Sequence, residues 1–229
     1  MMIAGVQAST LLDFPSRLSC ILFTQGCPYD CFYCHNRALI PLHTRGEGID
    51  AFPFLRRRRG LLDGVVISGG EPTIHTDLPQ FVSAIKELGY AVKLDTNGSN
   101  PTMVERLIEH RLLDYIALDV KAPKEAYKAV CGANARWEAV DATLSLLKGS
   151  SLPFEVRTTV YPTMSSDDLL ALSAMIGEVP LWRLNAYRIP DLFKKEDGQR
   201  IREAAMDAAA IRAWITKNRA AIAATRVTT

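Results

Sequence analysis

The chain has 229 residues, of which 48% are hydrophobic and 23% are charged. This composition supplies enough apolar material for a packed core and argues against intrinsic disorder. The 27 lysine and arginine residues nearly balance the 25 acidic residues, so the formal net charge is +2 and we expect no nucleic-acid partner. No apolar run approaches the roughly 18 residues of a membrane span. A secretory leader begins with a basic region, whereas this chain has no lysine or arginine before Arg17. We therefore expect a cytoplasmic protein without a membrane partner.

Short runs rich in apolar and β-branched residues alternate with segments of helical periodicity. The runs predict six β-strands, at Ser19–Thr24, Gly64–Ser68, Ala91–Asp95, Tyr115–Asp119, Phe154–Val160 and Leu181–Ala186. The segments between them predict helices at Asp77–Leu88, at about 101–108 behind an Asn100 cap, at Arg136–Leu147 and at Ser166–Ile176. Helix propensity predicts a further, alanine-rich helix at about 199–224.

Strands that alternate with helices are typical of a parallel sheet with right-handed crossovers. Six β units are too few for a complete eight-stranded barrel. The pattern therefore predicts an α/β fold, a partial (β/α)6 barrel of parallel strands with outer helices, with a doubly wound sheet as the alternative. We expect a single domain over residues 1–229, with its core at about 18–190. Either arrangement places ligands at the carboxyl ends of the strands.

Three of the five cysteines, Cys27, Cys31 and Cys34, follow the first predicted strand as a cluster. Clustered thiols in a cytosolic chain favour a metal site over a disulfide framework. Structural zinc needs a fourth ligand, a thioredoxin-like pair would leave Cys27 idle, and Cys31–His35 also fits the C-x-x-C-H pattern of haem attachment. An iron–sulfur cluster on three thiolates, with one iron open to a substrate, fits the spacing best. The other two thiols stand apart and are expected to be buried in the core: Cys20 and Cys131.

Polar residues follow the later predicted strands, where a barrel would bring them to one rim. Glycines in the Ser-Gly-Gly-Glu-Pro turn allow close backbone approach to a ligand, and Glu71 can meet an ammonium group. Asp95 and Asp119 end successive strands, and paired carboxylates there require a cation or a proton between them. Arg157 lies inside an apolar strand, where burying its charge without a partner would be costly. For Arg157, as for the aspartates, an ion pair within the protein is the alternative to contact with a ligand. The candidate ligand-binding residues are Gly69, Gly70, Glu71, Asp95, Thr96, Asn97, Asp119, Lys121, Arg157 and Asn185.

The C-x3-C-x2-C loop and the Gly-Gly-Glu turn resemble the radical S-adenosylmethionine superfamily, whose fold is a partial (β/α)6 barrel. Four runs resemble the activating enzymes of glycyl-radical enzymes: Phe23–Cys27, Cys34–Asn36, Asp95–Gly98 and Asp119–Lys121. The runs Leu11–Pro15 and Ser68–Thr73 are most similar to activating proteins of anaerobic ribonucleoside-triphosphate reductase. Pyruvate formate-lyase activators are similar as well, but they carry a D-G-P-G stretch where this chain has Asp13–Ser16.

The resemblance implies that the three clustered cysteines are catalytic metal ligands carrying a 4Fe–4S cluster. The open iron would chelate the amino and carboxylate groups of S-adenosylmethionine, and one electron would cleave it to methionine and a 5′-deoxyadenosyl radical. By the same resemblance, Tyr33 would pack against the adenine. Asp95, Thr96 and Asp119 would hold a monovalent cation beside the ligand's carboxylate and ribose.

The resemblance also implies partners. The radical would take a hydrogen atom from a glycine of a glycyl-radical enzyme, anaerobic ribonucleotide reductase first among them, with flavodoxin or ferredoxin as the low-potential electron donor. The alternative substrates are another glycyl-radical enzyme and a free metabolite. The alternative class is a non-catalytic zinc or iron–sulfur binding module.

Overall fold

The computed structural model of the protein describes residues 1–42 and 48–229. Over those residues, one sheet of eight strands runs in the order of the chain. The strands are β1 (Ile3–Thr10), β2 (Ser19–Thr24), β3 (Gly64–Gly69), β4 (Ala91–Thr96), β5 (Tyr115–Asp119), β6 (Phe154–Val160), β7 (Trp182–Ala186) and β8 (Val227–Thr228).

Seven α-helices, counted over the same residues, connect and flank the strands. They are α1 (Phe52–Arg58), α2 (Leu78–Glu87), α3 (Pro101–Glu109), α4 (Tyr127–Cys131), α5 (Trp137–Gly149), α6 (Ser166–Ile176) and α7 (Ala208–Asn218). Among the described residues, no helix is both long and apolar enough to cross a lipid bilayer.

The predicted parallel sheet is confirmed. Each strand from β3 to β8 pairs parallel to the one before it, whereas β1 runs antiparallel to β2. The helices that follow the central strands also start where sequence signals place them: Asn100 caps α3 through Met103 N at 3.2 Å, and Ser165 forms a capping box with Asp168. The carboxyl ends of β2 to β7 therefore lie along one rim.

The two faces of the sheet carry different side chains because residues alternate along each strand. Leu22, Ile67 and Leu94 are fully buried in the large core that the helices cover. On the inner face, Ile21 and Val66 form a small cluster with Phe14. Phe14 comes from the loop after β1 and closes the end of the sheet opposite the rim.

The expected helix at about 199–224 is wrong as a continuous element. The chain makes a short 3-10 turn at Arg200–Arg202, and α7 begins only after Asp207, whose side chain accepts a hydrogen bond from Ala210 N at 2.7 Å. Alanine gives this segment helix propensity but little apolar surface to bury, and packing rather than propensity stabilises helices in proteins. In α7, the buried residues are Ile211 and Trp214.

Candidate active site

A cavity of about 480 Å³ opens at the carboxyl ends of the strands. Its walls include every site residue predicted from the sequence, from the cysteine loop to β7: Cys27, Cys31, Tyr33, Cys34, Gly69, Gly70, Glu71, Asp95, Thr96, Asn97, Asp119, Lys121, Arg157 and Asn185. A larger and shallower groove of about 600 Å³ lies between α3 and α5, and Glu105 is its one titratable wall residue within the described part of the chain. The residues that can carry chemistry are therefore concentrated at the rim.

The cysteine loop is held in place by the end of α4. Asp30 N donates to Cys131 O at 2.8 Å, and Phe32 N donates to Val130 O at 3.1 Å. Cys34 N donates to Cys31 O at 3.1 Å, which closes a tight turn between two of the thiols. These backbone bonds fix the loop before any ligand binds.

The thiols differ in electrostatic environment. Burial raises the pKa of Cys27 to about 12 and also raises the pKa of Cys34. The pKa of Cys31 is lowered, because the Cys131 side chain donates a hydrogen bond to it. Cys131 is indeed buried, but it does not stand apart as the sequence suggested. Its 100-residue separation from Cys31 left no local signal of this contact.

The donor set fits a metal cluster. Over the described residues, no three His, Cys, Asp or Glu side chains lie close enough together to hold a single metal ion. Cys27, Cys31 and Cys34 instead share the wall of one cavity, an arrangement suited to a larger body such as a 4Fe–4S cube. The Tyr33 hydroxyl at the same wall is buried without a hydrogen-bond partner among the described residues, so a polar ligand atom there would satisfy it.

The two glycines of the Gly-Gly-Glu turn are required by the protein's own backbone. A Cβ on Gly70 would lie 2.1 Å from the carbonyl oxygen of Gly26. Gly69 has φ +116°, and a Cβ there would lie 2.3 Å from Thr24 N. The sequence reasoning attributed this close approach to a ligand, whereas the structure shows that it lets the turn pack against the end of β2.

Glu71 has a structural role that the sequence did not indicate. It is fully buried, and its Oε1 accepts hydrogen bonds from Thr73 N, Thr73 Oγ1 and Thr96 Oγ1 at 3.1, 2.6 and 2.7 Å. Its Oε2 accepts from Asn97 N at 2.7 Å. Both oxygens are thus engaged by the protein, although Glu71 also lines the cavity, and its contact with a ligand's ammonium group stays a prediction. Glu71 ties the turn after β3 to the end of β4.

The paired carboxylates predicted from the sequence do lie on neighbouring strands, β4 and β5. Arg157 on β6 bridges them, with Nε 2.8 Å from Asp119 Oδ1 and Nη1 3.1 Å from Asp95 Oδ2. Lys121 Nζ lies 3.3 Å from Asp119 Oδ2. Burial raises the pKa of Asp119, but the charges of Arg157 and Lys121 outweigh it and hold the pKa at about 2. Asp119 is therefore ionised at neutral pH.

Sequence reasoning missed Lys93, which is buried on the same face of β4 as Asp95. Its Nζ lies 2.5 Å from Asp95 Oδ1 and 4.0 Å from Glu155 Oε1. A lysine inside the apolar run Ala91–Asp95, two residues before the aspartate, was the available signal.

The remaining wall residues supply aromatic and polar surface. Tyr33 stacks on Tyr161 with ring centroids 5.2 Å apart and planes 17° apart. Asn185 on β7 pairs in register with Thr159 on β6, and both line the cavity. Thr159 and Tyr161 were not predicted, since neither follows a recognisable motif.

The segment after β7 lies against the outside of the cysteine loop. The Arg200 guanidinium carbon lies 3.4 Å from the centre of the Phe32 ring, and Arg200 Nη2 donates to Ala129 O at 3.2 Å. Lys194 forms an ion pair with Asp30, which also accepts from Arg37 at 2.8 Å. The loop is thus supported from α4 on one side and from the C-terminal segment on the other.

An incomplete parallel barrel with three thiols at its rim defines a class of enzymes that bind a metal cluster at the strand ends. Comparison with known proteins gives the family. Residues 21–176 match the model of the Radical SAM superfamily. The chain belongs to this superfamily, which implies a 4Fe–4S cluster and S-adenosylmethionine.

Relatives by sequence include a Methanocaldococcus jannaschii protein named "Putative glycyl-radical enzyme activating enzyme", which is 30% identical over 85% of this chain and 83% of its own length. The pyruvate formate-lyase-activating enzyme of Listeria monocytogenes is 29% identical over 77% of this chain and 76% of its own length. Among solved structures, Streptococcus suis SuiB bound to the precursor peptide SuiA has a TM-score of 0.67 at 15% identity. That match covers 91% of this chain and 48% of SuiB, and it supports the fold alone.

Proposed function

We propose that this protein activates a glycyl-radical enzyme and that its target is anaerobic ribonucleoside-triphosphate reductase. The observation that carries the proposal is one cavity lined both by three cluster-type thiols and by the Asp95–Arg157–Asp119 group. The residues that would bind the cluster and those that would bind its ligand line the same cavity at the strand ends, which supports the proposal.

The names of the relatives support activation as the reaction. The Methanocaldococcus jannaschii protein and the Listeria enzyme both carry names of glycyl-radical activators, and each alignment covers at least three quarters of both chains. The run Leu11–Pro15 supports the reductase as target, because it resembles the reductase activators rather than the D-G-P-G stretch of the lyase activators. Asp13 of this run lines the cavity.

Different residues of the cavity would bind the cluster and S-adenosylmethionine. A bound cluster would supply one electron for reductive cleavage of S-adenosylmethionine to methionine and a 5′-deoxyadenosyl radical, and a hydrogen atom from the target glycine would then pass to that radical. Cys27, Cys31 and Cys34 would hold the cluster. Lys121 and Arg157 would orient the carboxylate of the methionine moiety through their positive charges.

Other residues of the same cavity would bind the nucleoside half. Tyr33 would offer the edge of a ring that Tyr161 already holds by stacking, so little side-chain entropy is lost on binding. Asn185 and Thr159 would provide hydrogen bonds to the ribose hydroxyls. We also propose reduced flavodoxin or ferredoxin as the electron donor, and the cytoplasm, where thiols stay reduced, as the site of action.

Anaerobic reconstitution tests this function. The reconstituted protein should contain about four irons per chain and should form 5′-deoxyadenosine when reduced in the presence of S-adenosylmethionine. Cys31→Ala should lose both, whereas Cys20→Ala, which removes a buried thiol outside the cavity, should keep both. A colourless protein with one zinc per chain would instead identify the non-catalytic module.

The target is tested separately. Purified anaerobic ribonucleotide reductase and pyruvate formate-lyase are each incubated with the reduced protein and S-adenosylmethionine, and glycyl radicals are quantified by electron paramagnetic resonance. A radical on the reductase alone supports the proposal. A radical on the lyase alone would assign the other target, and 5′-deoxyadenosine without either radical would favour a free metabolite.

A further inference from the structure

The resemblance to glycyl-radical activators implied a monovalent cation on Asp95, Thr96 and Asp119, and the arrangement of these residues does not fit one. The Thr96 hydroxyl donates to Glu71 Oε1 at 2.7 Å and accepts from Gly98 N at 3.1 Å. The two aspartates are bridged by the Arg157 guanidinium. All three proposed ligands are thus engaged by the protein itself.

Each of the four carboxylate oxygens already has a cationic partner from the chain. Arg157 contacts one oxygen of each aspartate, at 2.8 and 3.1 Å. The other oxygen of Asp95 lies 2.5 Å from Lys93 Nζ, and the other oxygen of Asp119 lies 3.3 Å from Lys121 Nζ. A metal cation would therefore have to displace a lysine or the guanidinium before it could reach an oxygen.

Lys93 cannot easily be displaced. Its side chain is fully buried, and burying an ammonium group without a counter-charge is costly. Its second acidic neighbour, Glu155, is itself paired with Arg183 at 3.3 Å. If Lys93 moved away from Asp95, its ammonium group would stay buried without a free counter-charge. The Lys93–Asp95 pair is therefore expected to stay intact.

The local charge also disfavours a further cation. Lys93, Lys121 and Arg157 place three positive charges against the two negative charges of Asp95 and Asp119. Glu155 is matched by Arg183, and a further carboxylate beside these residues, Glu71, brings the group only to balance. A monovalent metal ion would therefore meet no excess of negative charge at this point, whereas such a site needs carboxylates left free to hold it.

We infer that Arg157 and Lys93 provide the counter-charge for Asp95 and Asp119, so that ligand binding at this rim needs no monovalent metal cation. Lys93 is then a positioning residue: it holds Asp95, which in turn holds Arg157 toward the cavity. The inference rests on the proposed function only for the identity of the ligand, S-adenosylmethionine.

The test compares salts of equal ionic strength on the reconstituted wild-type protein: potassium chloride, sodium chloride and tetramethylammonium chloride, whose cation is too large for such a site. The dissociation constant for S-adenosylmethionine and the thermal unfolding midpoint are measured in each. We expect dissociation constants within twofold of one another and equal midpoints. A tenfold weaker affinity, or a lower midpoint, in tetramethylammonium would overturn the inference.

A variant supplies the positive half of the test. Lys93→Met leaves one oxygen of Asp95 without a cation, so its unfolding midpoint and affinity should become higher in potassium or sodium than in tetramethylammonium. Lys86→Met is the matched control. Lys86 Nζ lies 2.8 Å from Asp114 Oδ2, and neither residue lines the cavity. A Lys93→Met protein as insensitive to the cation as the control would show that Lys93 does not fill this role.

The two proposals fail in different ways. If S-adenosylmethionine binds in no salt, the proposed function fails, while the unfolding midpoints still test the charge arrangement. If it binds only in potassium or sodium, the function stands and the inference about Arg157 and Lys93 fails.

Discussion

The side-chain nitrogen of Asn97 donates a hydrogen bond to the sulfur of Cys27 over 3.6 Å. The amide cannot easily turn away, because its oxygen accepts from Ser99 N at 2.9 Å and its backbone nitrogen donates to Glu71. The end of β4 thus presents a fixed donor to one of the three clustered thiols. Hydrogen bonds to ligand sulfurs stabilise the reduced, more negative state of an iron–sulfur cluster.

Replacing Asn97 with Ala should therefore lower the midpoint potential of the cluster. A hydrogen bond worth about 1 kcal/mol corresponds to about 40 mV for a one-electron couple. The measurement is a redox titration followed by electron paramagnetic resonance, with iron content as a check on loading. Asn36→Ala is the control, since the Asn36 side chain donates to Gly69 O, and its backbone, which the substitution keeps, is what faces the Cys34 sulfur. Equal potentials in the two variants would show that Asn97 does not tune the cluster.

Replacing Arg157 with Met should destabilise the protein and weaken S-adenosylmethionine binding together. The change leaves Asp95 and Asp119 facing each other without their shared cation. Breaking a fully buried ion pair costs about 3–5 kcal/mol, and we expect a smaller loss here because the Asp119 side chain is 30% exposed. Adding Asp119→Asn should recover part of the loss of stability, because it removes one of the two facing charges. Urea unfolding measures the free energy, and full additivity of the two changes would contradict the bridging role.

The contribution of Asp119 to the free energy of unfolding should depend on pH with a defined sign. The pKa of Asp119 lies at about 2, below its ordinary value of 3.8, so its contribution to stability is complete above the ordinary value and is lost as the pH falls toward 2. The difference in unfolding free energy between wild type and Asp119→Asn should thus be constant at neutral pH and shrink only in acid. A difference that changes between pH values of about 6 and 8 would point to another group.

Glu71→Gln distinguishes positioning from direct ligand contact. Both oxygens of Glu71 accept hydrogen bonds, so whichever way the glutamine amide is turned, its NH2 group would replace an acceptor and face another donor. The free energy of unfolding should therefore fall by about 1–3 kcal/mol. The exposed Glu138, which pairs with Lys124 at 3.4 Å, provides Glu138→Gln as a nearly neutral control. Weaker S-adenosylmethionine binding at unchanged stability would support the role first expected for Glu71.

Arg200→Ala should loosen the segment after β7 from the cysteine loop. The substitution removes the guanidinium from the face of Phe32, a contact worth about 1 kcal/mol, and its hydrogen bond to Ala129 O. Amide hydrogen exchange should quicken in residues 187–202 and in the cysteine loop, with the central strands unchanged. The same protection in Arg200→Ala as in wild type would show that other contacts hold the segment.

The parts of the fold that local patterns encode could be predicted. The boundaries of β2, β5 and β6 coincide with the predicted runs, and α6 begins and ends where predicted. These strands are apolar and β-branched, and α6 carries its own capping signal. Strand β1 was missed because its run Ile-Ala-Gly-Val-Gln-Ala-Ser-Thr is mixed in polarity, and its pairing with β2 depends on tertiary contacts.

In the candidate site, too, local motifs predicted some features, while others depend on tertiary contacts. Motifs at strand ends placed Cys27, Asp95 and Asp119 on one cavity, because topology brings parallel strand ends together. What motifs could not supply was which group pairs with which. That Glu71 is satisfied internally and that Cys131 meets Cys31 depend on side-chain packing between distant segments.

We propose that the three thiols at this rim hold a cluster with one iron open to S-adenosylmethionine. The direct measurement is the electron paramagnetic resonance spectrum of the reduced, reconstituted protein before and after S-adenosylmethionine is added. We predict that the ligand changes the g-values of the cluster signal in wild type and that Cys31→Ala shows no cluster signal. A signal that S-adenosylmethionine leaves unaltered, or one that persists in Cys31→Ala, would contradict the account.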